Sequence, residues 1–285
     1  MKRFWGHVVA GLGLVGSAFA IFSACAHDDS SIFIRAVLAP PQTANASGQC
    51  TYSADPTGLT LSAGQLDVAF SSSYTPALLI GNQLQARAST EQGRTETSRV
   101  AVQGVIVRIT DDKGSSLHDP FTRTANGFLD PGQGGQPTYS VIFATVMDHT
   151  VTDALIPNLQ QRDNGRFKNV RLMAYIKAFG TTLGGVHVET NETQFPVDVC
   201  YGCLVSFPAG VSSPFYPQPN CAGASTGTTQ TPATPCVIGQ DQPIDCRLCT
   251  DRAELCKPPV FVPDGGGGDS GSPVDSGNPV DAGGG

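Results

Sequence analysis

The sequence predicts a mainly β fold: an antiparallel β-sandwich followed by a disulfide-rich loop region and a disordered tail. Three observations support this prediction. Apolar residues recur at a period of two through much of residues 31–200, the whole chain contains 33 glycines and 21 prolines, and only 14% of the chain is charged. Short alternating runs that are not separated by helices are typical of two packed sheets. The simplest version is an immunoglobulin- or fibronectin-like arrangement.

The clearest strand begins at Val170, where every second residue up to Ala178 is apolar. Gly184-Gly185 then suits a hairpin turn into a strand that resumes at Val186. Another strand begins at Val100, and its phase slips by one at Gln103-Gly104, which predicts a β-bulge. Further strands are predicted at Ile32–Leu38, Gln65–Phe70, Ala77–Gln85, Thr138–Thr145 and Phe195–Val199.

The remaining segments of this region show weaker periodicity. One short helix is expected within Thr150–Gln161, and Pro157 is expected to interrupt it. Gln85–Ser98 and Lys113–Gln136 are predicted to be long loops, which is where binding residues commonly lie.

The N-terminus carries the pattern of an export signal. Lys2 and Arg3 precede an uncharged, mostly apolar run that ends at Phe22 and is too short to span a bilayer. Ser23, Ala24 and Cys25 follow. This order resembles the signal of bacterial lipoproteins, although Phe22 stands where that family usually has leucine. In the family, the cysteine receives a diacylglycerol thioether, becomes the first residue and is acylated again.

The resemblance implies a signal peptide at residues 1–24 and a tether over residues 25–30 that begins with lipidated Cys25. An aspartate after the cysteine retains such lipoproteins in the inner membrane, so Ala26 implies the outer membrane. The alternative is a secreted protein, because Ala18–Ala20 and Ala24–Ala26 also fit ordinary cleavage sites. Cysteine parity favours lipidation, since nine cysteines leave one unpaired whereas a lipidated Cys25 leaves eight.

Charge restricts the partners of the exported chain. Removing residues 1–24 takes away Lys2 and Arg3, so 15 basic and 24 acidic residues remain and the net charge is −9. This charge argues against nucleic-acid binding and against electrostatic attraction to anionic lipids. Contact with the membrane is therefore expected through the lipid on Cys25.

Cysteines define the region that follows the β domain. The β-sandwich is expected over residues 31–200, a disulfide-stapled segment over residues 201–256, and a disordered tail rich in Gly, Pro and Asp over residues 257–285. Cys50 is isolated near the start of the sandwich, so its partner must come from the later group and should tie the two regions together. The disulfide candidates are Cys50, Cys200, Cys203, Cys221, Cys236, Cys246, Cys249 and Cys256.

Two Cys-x-x-Cys pairs, Cys200 with Cys203 and Cys246 with Cys249, match the spacing of zinc ligands. The 42 residues between the pairs and the oxidising destination favour disulfides, and a zinc-binding module is the alternative. A thioredoxin-like redox role would need a βαβ unit with a helix N-terminus that stabilises a thiolate, and the sequence shows neither.

Motifs that resemble catalytic or cofactor sites fall in unsuitable places, so no catalytic, metal or cofactor residue is predicted. Gly223–Gly227 fits G-x-S-x-G inside a Ser/Thr-rich loop, Gly268–Gly271 fits G-D-S-G inside the tail, and Gly11–Gly16 fits G-x-G-x-x-G inside the signal.

The chain is therefore interpreted as a non-enzymatic envelope or surface lipoprotein. Its β domain would be structural or bind an envelope protein or polysaccharide. A surface-anchored hydrolase or carbohydrate-processing enzyme is the alternative, with carboxylates such as Asp130, Asp148 and Asp153 as candidates. The whole arrangement resembles outer-membrane lipoproteins of the myxobacterial type. That resemblance implies a location and no active site.

Overall fold

The structure is a computed structural model that describes residues 30–41, 50–87, 93, 95–161, 168–206 and 234–246. Within these ranges the chain is mainly β, as the sequence predicts, with twelve strands and two four-residue helices. The predicted signal peptide, Cys25 with most of its tether, and the predicted tail lie outside the described residues.

Ten of the strands form two sheets. The smaller sheet contains β1 (Ile32–Leu38), β2 (Thr60–Leu61), β4 (Ala77–Asn82) and β7 (Thr138–Phe143). It is antiparallel with the order β2-β1-β4-β7. The larger sheet contains β3 (Gly64–Asp67), β5 (Val100–Asp111), β6 (Ser116–Leu129), β8 (Asn169–Thr182), β9 (His187–Glu189) and β10 (Thr193–Cys200). Its order is β3-β10-β8-β5-β6, and β9 pairs with β8.

Alternation along the strands builds one core that the two sheets share. In β8, Leu172, Ala174 and Ile176 are fully buried, while the residues between them face outward. The smaller sheet contributes Leu78 and Ile80 to the same core. Burial of an aliphatic side chain of this size stabilises a fold by about 1.5–3 kcal/mol.

The bulge predicted at Gln103-Gly104 is present. The register of β5 against both β6 and β8 shifts between Val102 and Gly104. A Cβ atom at Gly104 would lie 2.6 Å from the carbonyl oxygen of Arg123, so this close approach requires glycine.

The prediction of a long loop over Lys113–Gln136 is wrong, because most of this segment forms β6. The strand pairs with β5 on one side only and its outward residues are polar. Ala125 and Leu129 are buried, whereas Thr124 and Asn126 are exposed. Few of its inward positions are large and apolar, which is why the alternation is weak. Pro120 is compatible with an edge strand, where one side of the backbone pairs with no neighbouring strand.

Two short helices replace the single interrupted helix that the sequence predicts. Asp148 caps α1 (His149–Thr152) by accepting a hydrogen bond from the Thr150 N–H at 3.0 Å. Pro157 lies in the first turn of α2 (Ile156–Leu159), where its missing N–H costs no helical hydrogen bond. Pro157 therefore begins a helix here and does not break one.

The larger sheet is mixed, whereas the sequence predicts only antiparallel pairs. β3 runs parallel to β10, with Gly64 opposite Val197 and Asp67 opposite Cys200. Alternation of side chains is the same in parallel and antiparallel strands, so a short run does not reveal its direction. The immunoglobulin- or fibronectin-like strand arrangement stays a prediction.

The described part of the cysteine-rich region packs onto the end of β3. β11 (Val205–Ser206) and β12 (Ile244–Asp245) form a parallel pair. They bury a small second cluster that consists of Ala69, Leu204, Val205, Ile244 and Cys246. Gln240 also forms an antiparallel bridge with Leu66. These contacts join residues 234–246 directly to the β domain.

Candidate functional site

The outer face of the smaller sheet is unusually apolar for a surface that no other described sheet covers. Arg35 is the single charged residue in its four strands. In β7, Ile142 faces the core while Tyr139, Val141 and Phe143 lie on the opposite face, so this strand is apolar on both sides. We call the outward set the aromatic face; its members are Phe33, Tyr52, Tyr139, Val141 and Phe143.

Packing within the aromatic face fixes its rings in position. Phe33 contacts Tyr139 edge to face, with ring centroids 6.0 Å apart. A Cβ atom on Gly81 would lie 2.5 Å from the Phe33 ring, so the glycine lets that ring lie flat on the sheet. Tyr52 and Tyr139 help to cover the buried residues Leu38, Ala77 and Leu79. The fixed rings give this surface a defined shape before any partner arrives.

One end of the aromatic face opens into a pocket of about 580 Å³. Tyr52 and Phe143 meet there edge to face at 5.3 Å, and Phe143 remains 48% exposed. The pocket is lined by Cys50, Thr51, Tyr52, Thr75, Val141, Phe143, Cys236 and Val237. A concave, mainly apolar site with a few hydroxyl groups is the usual character of a binding pocket.

A disulfide between Cys50 and Cys236 forms one wall of this pocket, with Cα atoms 5.6 Å apart. That separation is normal for a disulfide. The pairing agrees with the expectation that Cys50 joins the β domain to the cysteine-rich region. Gln242 reinforces the wall, since its side chain accepts from the Cys236 N–H at 2.6 Å and donates to the Pro41 carbonyl at 3.0 Å.

A buried polar network lies next to the pocket. Gln240 pairs with the backbone of Thr75, accepting from its N–H at 2.8 Å and donating to its carbonyl at 2.9 Å. The carboxylate of Asp241 accepts from the Tyr74 hydroxyl at 2.9 Å and from the Gln65 N–H at 2.7 Å. Burial raises the pKa of Asp241, although these hydrogen bonds oppose the shift. Burial and the neighbouring Asp241 carboxyl raise the pKa of Tyr74.

A fully buried carboxylate holds the turn after β10. Asp67 is fully buried and accepts hydrogen bonds from Gly202 at 2.6 Å, Leu204 at 3.0 Å and Ala69 at 3.1 Å. Burial raises the pKa of Asp67, and the backbone donors oppose that shift. The turn contains a disulfide between Cys200 and Cys203.

Cysteines of the proposed zinc module are disulfide-bonded where the structure describes them. β11 and β12 bring Cys203 and Cys246 to the same small cluster, so one cysteine of each Cys-x-x-Cys motif lies there. Cys246 is disulfide-bonded as well. Because Cys50, Cys200, Cys203 and Cys236 pair among themselves, the partner of Cys246 lies outside the described residues. Cys221, Cys249 and Cys256 also lie outside them.

Two of the three carboxylates considered for an enzyme have structural partners. Asp130 forms an ion pair with Arg99 at 2.8 Å. Asp148 caps α1 and forms an ion pair with Arg123. Burial raises the pKa of Asp148, and its bonds to Thr150 and Arg123 lower it to a net value below the usual one. Asp153 is exposed at the end of α1.

The larger sheet has a different outward face. Three ion pairs lie across it: Arg108 with Glu192 at 2.9 Å, Arg171 with Asp198 at 2.7 Å, and Lys177 with Glu189. The guanidinium of Arg108 also lies 3.7 Å from the centroid of the Tyr175 ring. Charge of both signs is typical of a surface that faces water, in contrast to the aromatic face.

Sequence reasoning missed the aromatic face and the roles of the Asp67 and Asp241 carboxylates. The run Tyr139–Phe143 carries a usable signal, since only Ser140 interrupts a series of apolar residues on both sides of the strand. Asp67 and Asp241 leave no signal, because the donors that tie them to other segments lie more than 130 residues away in the chain.

Comparison with models of known protein families and with curated protein sequences gave no match to this chain. Neither helix in the described ranges is long and apolar enough to cross a membrane.

Proposed function

We propose that this chain is a non-enzymatic lipoprotein of the outer envelope, and that its β domain binds another envelope component through the aromatic face. The observation that carries the binding part is the contrast between the two outer faces. One has salt bridges across it, while the other has a single arginine in its strands, half-exposed rings and a pocket.

Energetics favour use of the aromatic face for binding. Exposed apolar surface gains about 25 cal/mol for each Å² that a partner covers. Phe143 and the neighbouring Val237 and Ile238 keep 48%, 39% and 53% of their surface exposed. Rings that are already fixed lose little conformational entropy on binding, which makes Tyr52 and Phe143 suitable anchor residues.

The anchor part of the proposal rests on the N-terminal sequence. The order of charged, apolar and small residues before Cys25 resembles a lipoprotein signal. One acyl chain holds a protein only marginally, and each buried methylene adds about 0.8 kcal/mol. Acylation at two positions of a lipidated cysteine would therefore attach the chain stably, and the partner would be another molecule of the same envelope.

Binding is tested with the chain from residue 25 onward, carrying Cys25→Ser so that it stays in solution. The probes are outer-membrane vesicles, peptidoglycan sacculi and purified envelope polysaccharide. We expect at least one probe to retain the protein, and Phe143→Ser to weaken that retention by about tenfold, as loss of an aromatic anchor does. The matched control is Phe128→Ser, because Phe128 is 53% exposed on an edge strand of the larger sheet.

The control should bind within about twofold of the parent chain, which is the scale of a neutral contact. Circular dichroism should show the same β content for all three proteins. Equal retention of both variants, or failure of every probe to retain the parent chain, would refute binding through the aromatic face.

A further inference from the structure

The aromatic face is joined to Cys25 by a short piece of chain. β1, which carries Phe33, begins at Ile32, seven residues after Cys25. A fully extended chain spans at most about 3.6 Å per residue, so the Cα atom of Ile32 lies within about 25 Å of that of Cys25. A lipid on Cys25 would therefore hold the smaller sheet close to the bilayer surface.

Aromatic rings lie at both ends of the aromatic face. Phe33 and Tyr139 contact each other at the end where β1 and β7 begin. Phe143 and Tyr52 contact each other at the opposite end, where β7 finishes. Tyrosine suits the headgroup region of a bilayer, because its ring is apolar and its hydroxyl stays hydrated. The face can therefore contact a flat lipid surface along the whole length of β1.

Charge distinguishes the two outer faces as lipid contacts. The four strands of the smaller sheet contain no acidic residue, and their one cation, Arg35, is exposed. A guanidinium on a flexible stem can reach lipid phosphates while its methylene groups stay on the apolar surface. The larger sheet carries ion pairs such as Arg108 with Glu192, and moving them towards acyl chains would cost free energy. The aromatic face is therefore the better suited of the two to lie against a bilayer.

Net charge favours one kind of lipid surface. The chain from residue 25 onward has a net charge of −9, which opposes its approach to an anionic bilayer, whereas contact through rings needs no charged lipid. We propose that the aromatic face lies on the zwitterionic lipid surface to which Cys25 is anchored. This inference rests on the proposed function, because it needs the anchor and names lipid as the envelope component that the aromatic face binds.

A single introduced tryptophan can report this contact, because Trp5 is the only tryptophan of the chain and lies before residue 25. The chain from residue 25 onward, with its other cysteines oxidised, is coupled through the Cys25 thiol to a maleimide lipid in phosphatidylcholine vesicles. Phe143→Trp reports on the aromatic face. Tyr175→Trp is the matched control, because Tyr175 lies between buried residues of β8 and faces outward from a central strand of the larger sheet.

Bromine on the acyl chains quenches the fluorescence of a tryptophan that contacts lipid. We expect the emission of Phe143→Trp to be at least about twofold weaker in brominated than in unbrominated vesicles, because an interfacial tryptophan lies beside the acyl chains. Tyr175→Trp should emit equally in both kinds of vesicle. If circular dichroism shows that Phe143→Trp does not fold, Tyr52→Trp takes its place with the same expected result. Equal quenching of the two reporters, or none in either, would overturn the inference.

Failure of this inference can be told apart from failure of the proposed function. If bromine does not quench Phe143→Trp, but sacculi or polysaccharide retain the parent chain and Phe143→Ser weakens that retention, the aromatic face binds a component other than lipid. The lipid assignment is then wrong and the proposed function stands. If bromine does not quench Phe143→Trp and no probe retains the parent chain, both are wrong.

Discussion

At the scale of single residues, the fully buried Asp67 and the half-buried Asp241 organise the contact between the β domain and residues 201–206 and 234–246. Asp67 accepts the backbone N–H groups of Ala69, Gly202, Cys203 and Leu204, and Asp241 accepts from Tyr74 and Gln65. Both carboxylates accept hydrogen bonds from groups that are distant in sequence, so they link separate segments of the chain. Asp241 has φ of 58°, a left-handed conformation that aspartate and asparagine tolerate better than most residues.

Asp241→Asn should change the pH dependence of stability in a defined direction. Burial raises the pKa of Asp241 in the folded state, so the folded protein binds the proton more tightly than the unfolded chain. The stabilisation from this proton is present below the unfolded pKa and is lost as pH rises through the folded pKa. Asparagine stays neutral, so the melting temperature of the variant minus that of the wild type should increase from about pH 4 upward.

The difference between the two proteins isolates Asp241 from groups that act in the opposite direction. The pKa values of Asp148 and Glu189 are lowered, and their contributions are equal in wild type and variant. Asp112→Asn in the exposed turn after β5 serves as the control and should follow the wild-type curve. If the melting temperature of Asp241→Asn minus that of the wild type were constant over pH, the pKa of Asp241 would be the same in the folded and unfolded states.

At the scale of elements, β6 is the strand that the periodicity of the sequence does not predict. Its pairing with β5 puts Thr124 opposite Gly104, and its next residue, Ala125, is 3% exposed. Adjacent residues therefore face opposite sides of the sheet, one into the core and one into water.

This register can be tested with a matched pair of lysine substitutions. Ala125→Lys places a charge in the core and should lower the free energy of unfolding by at least about 3 kcal/mol. Thr124→Lys leaves the charge in water and should change it by less than about 0.5 kcal/mol. Urea denaturation followed by circular dichroism measures both. Similar losses for the two variants would show that β6 does not have this register.

Periodicity predicts the strands whose inward positions are large and apolar. β8 and β5 meet that condition, and even the bulge at Gly104 can be read from a slip in phase. β6 does not meet it, because an edge strand needs fewer apolar contacts. The parallel direction of β3 depends on pairing with a strand some 130 residues away, and nothing within β3 records it.

The candidate site likewise has features that the local sequence predicts and features that depend on distant segments of the chain. Because Cys50 has no other cysteine near it in the sequence, a bond to the cysteine-rich region can be predicted. The identity of its partner, Cys236, depends on how residues 234–246 pack against the smaller sheet. The aromatic face depends on the pairing of β7 with β4 and on the position of Tyr52 over it. Tertiary contacts, and not local pattern, therefore create the pocket.

At the scale of the whole molecule, the two described disulfide pairs have different roles. The Cys50–Cys236 bond links residues 186 positions apart, whereas Cys200 and Cys203 are three positions apart. A crosslink stabilises a fold in proportion to the unfolded-chain entropy that it removes, and that entropy grows with the size of the loop. The first bond therefore contributes more to the stability of the fold than the second, which closes a short turn that Asp67 also holds.

Paired serine substitutions measure this difference. Loss of Cys50 and Cys236 together should reduce the free energy of unfolding by about 4 kcal/mol, and loss of Cys200 and Cys203 together by about 2 kcal/mol. Denaturant titration of the two double variants gives both values. A larger loss of unfolding free energy for the Cys200 and Cys203 variant would mean that the Cys200–Cys203 bond stabilises the fold more than the Cys50–Cys236 bond.

The central claim is that a lipid on Cys25 anchors the β domain to the envelope. The most direct test is the intact mass of the protein purified from envelopes of a bacterial host that processes lipoproteins. Our account predicts a chain that begins at Cys25 and is heavier than its amino-acid mass by a diacylglycerol and an amide-linked acyl chain. Cys25→Ser should remove that added mass and release the protein from the membrane fraction. A lipid-free mass that begins at another residue would contradict the account.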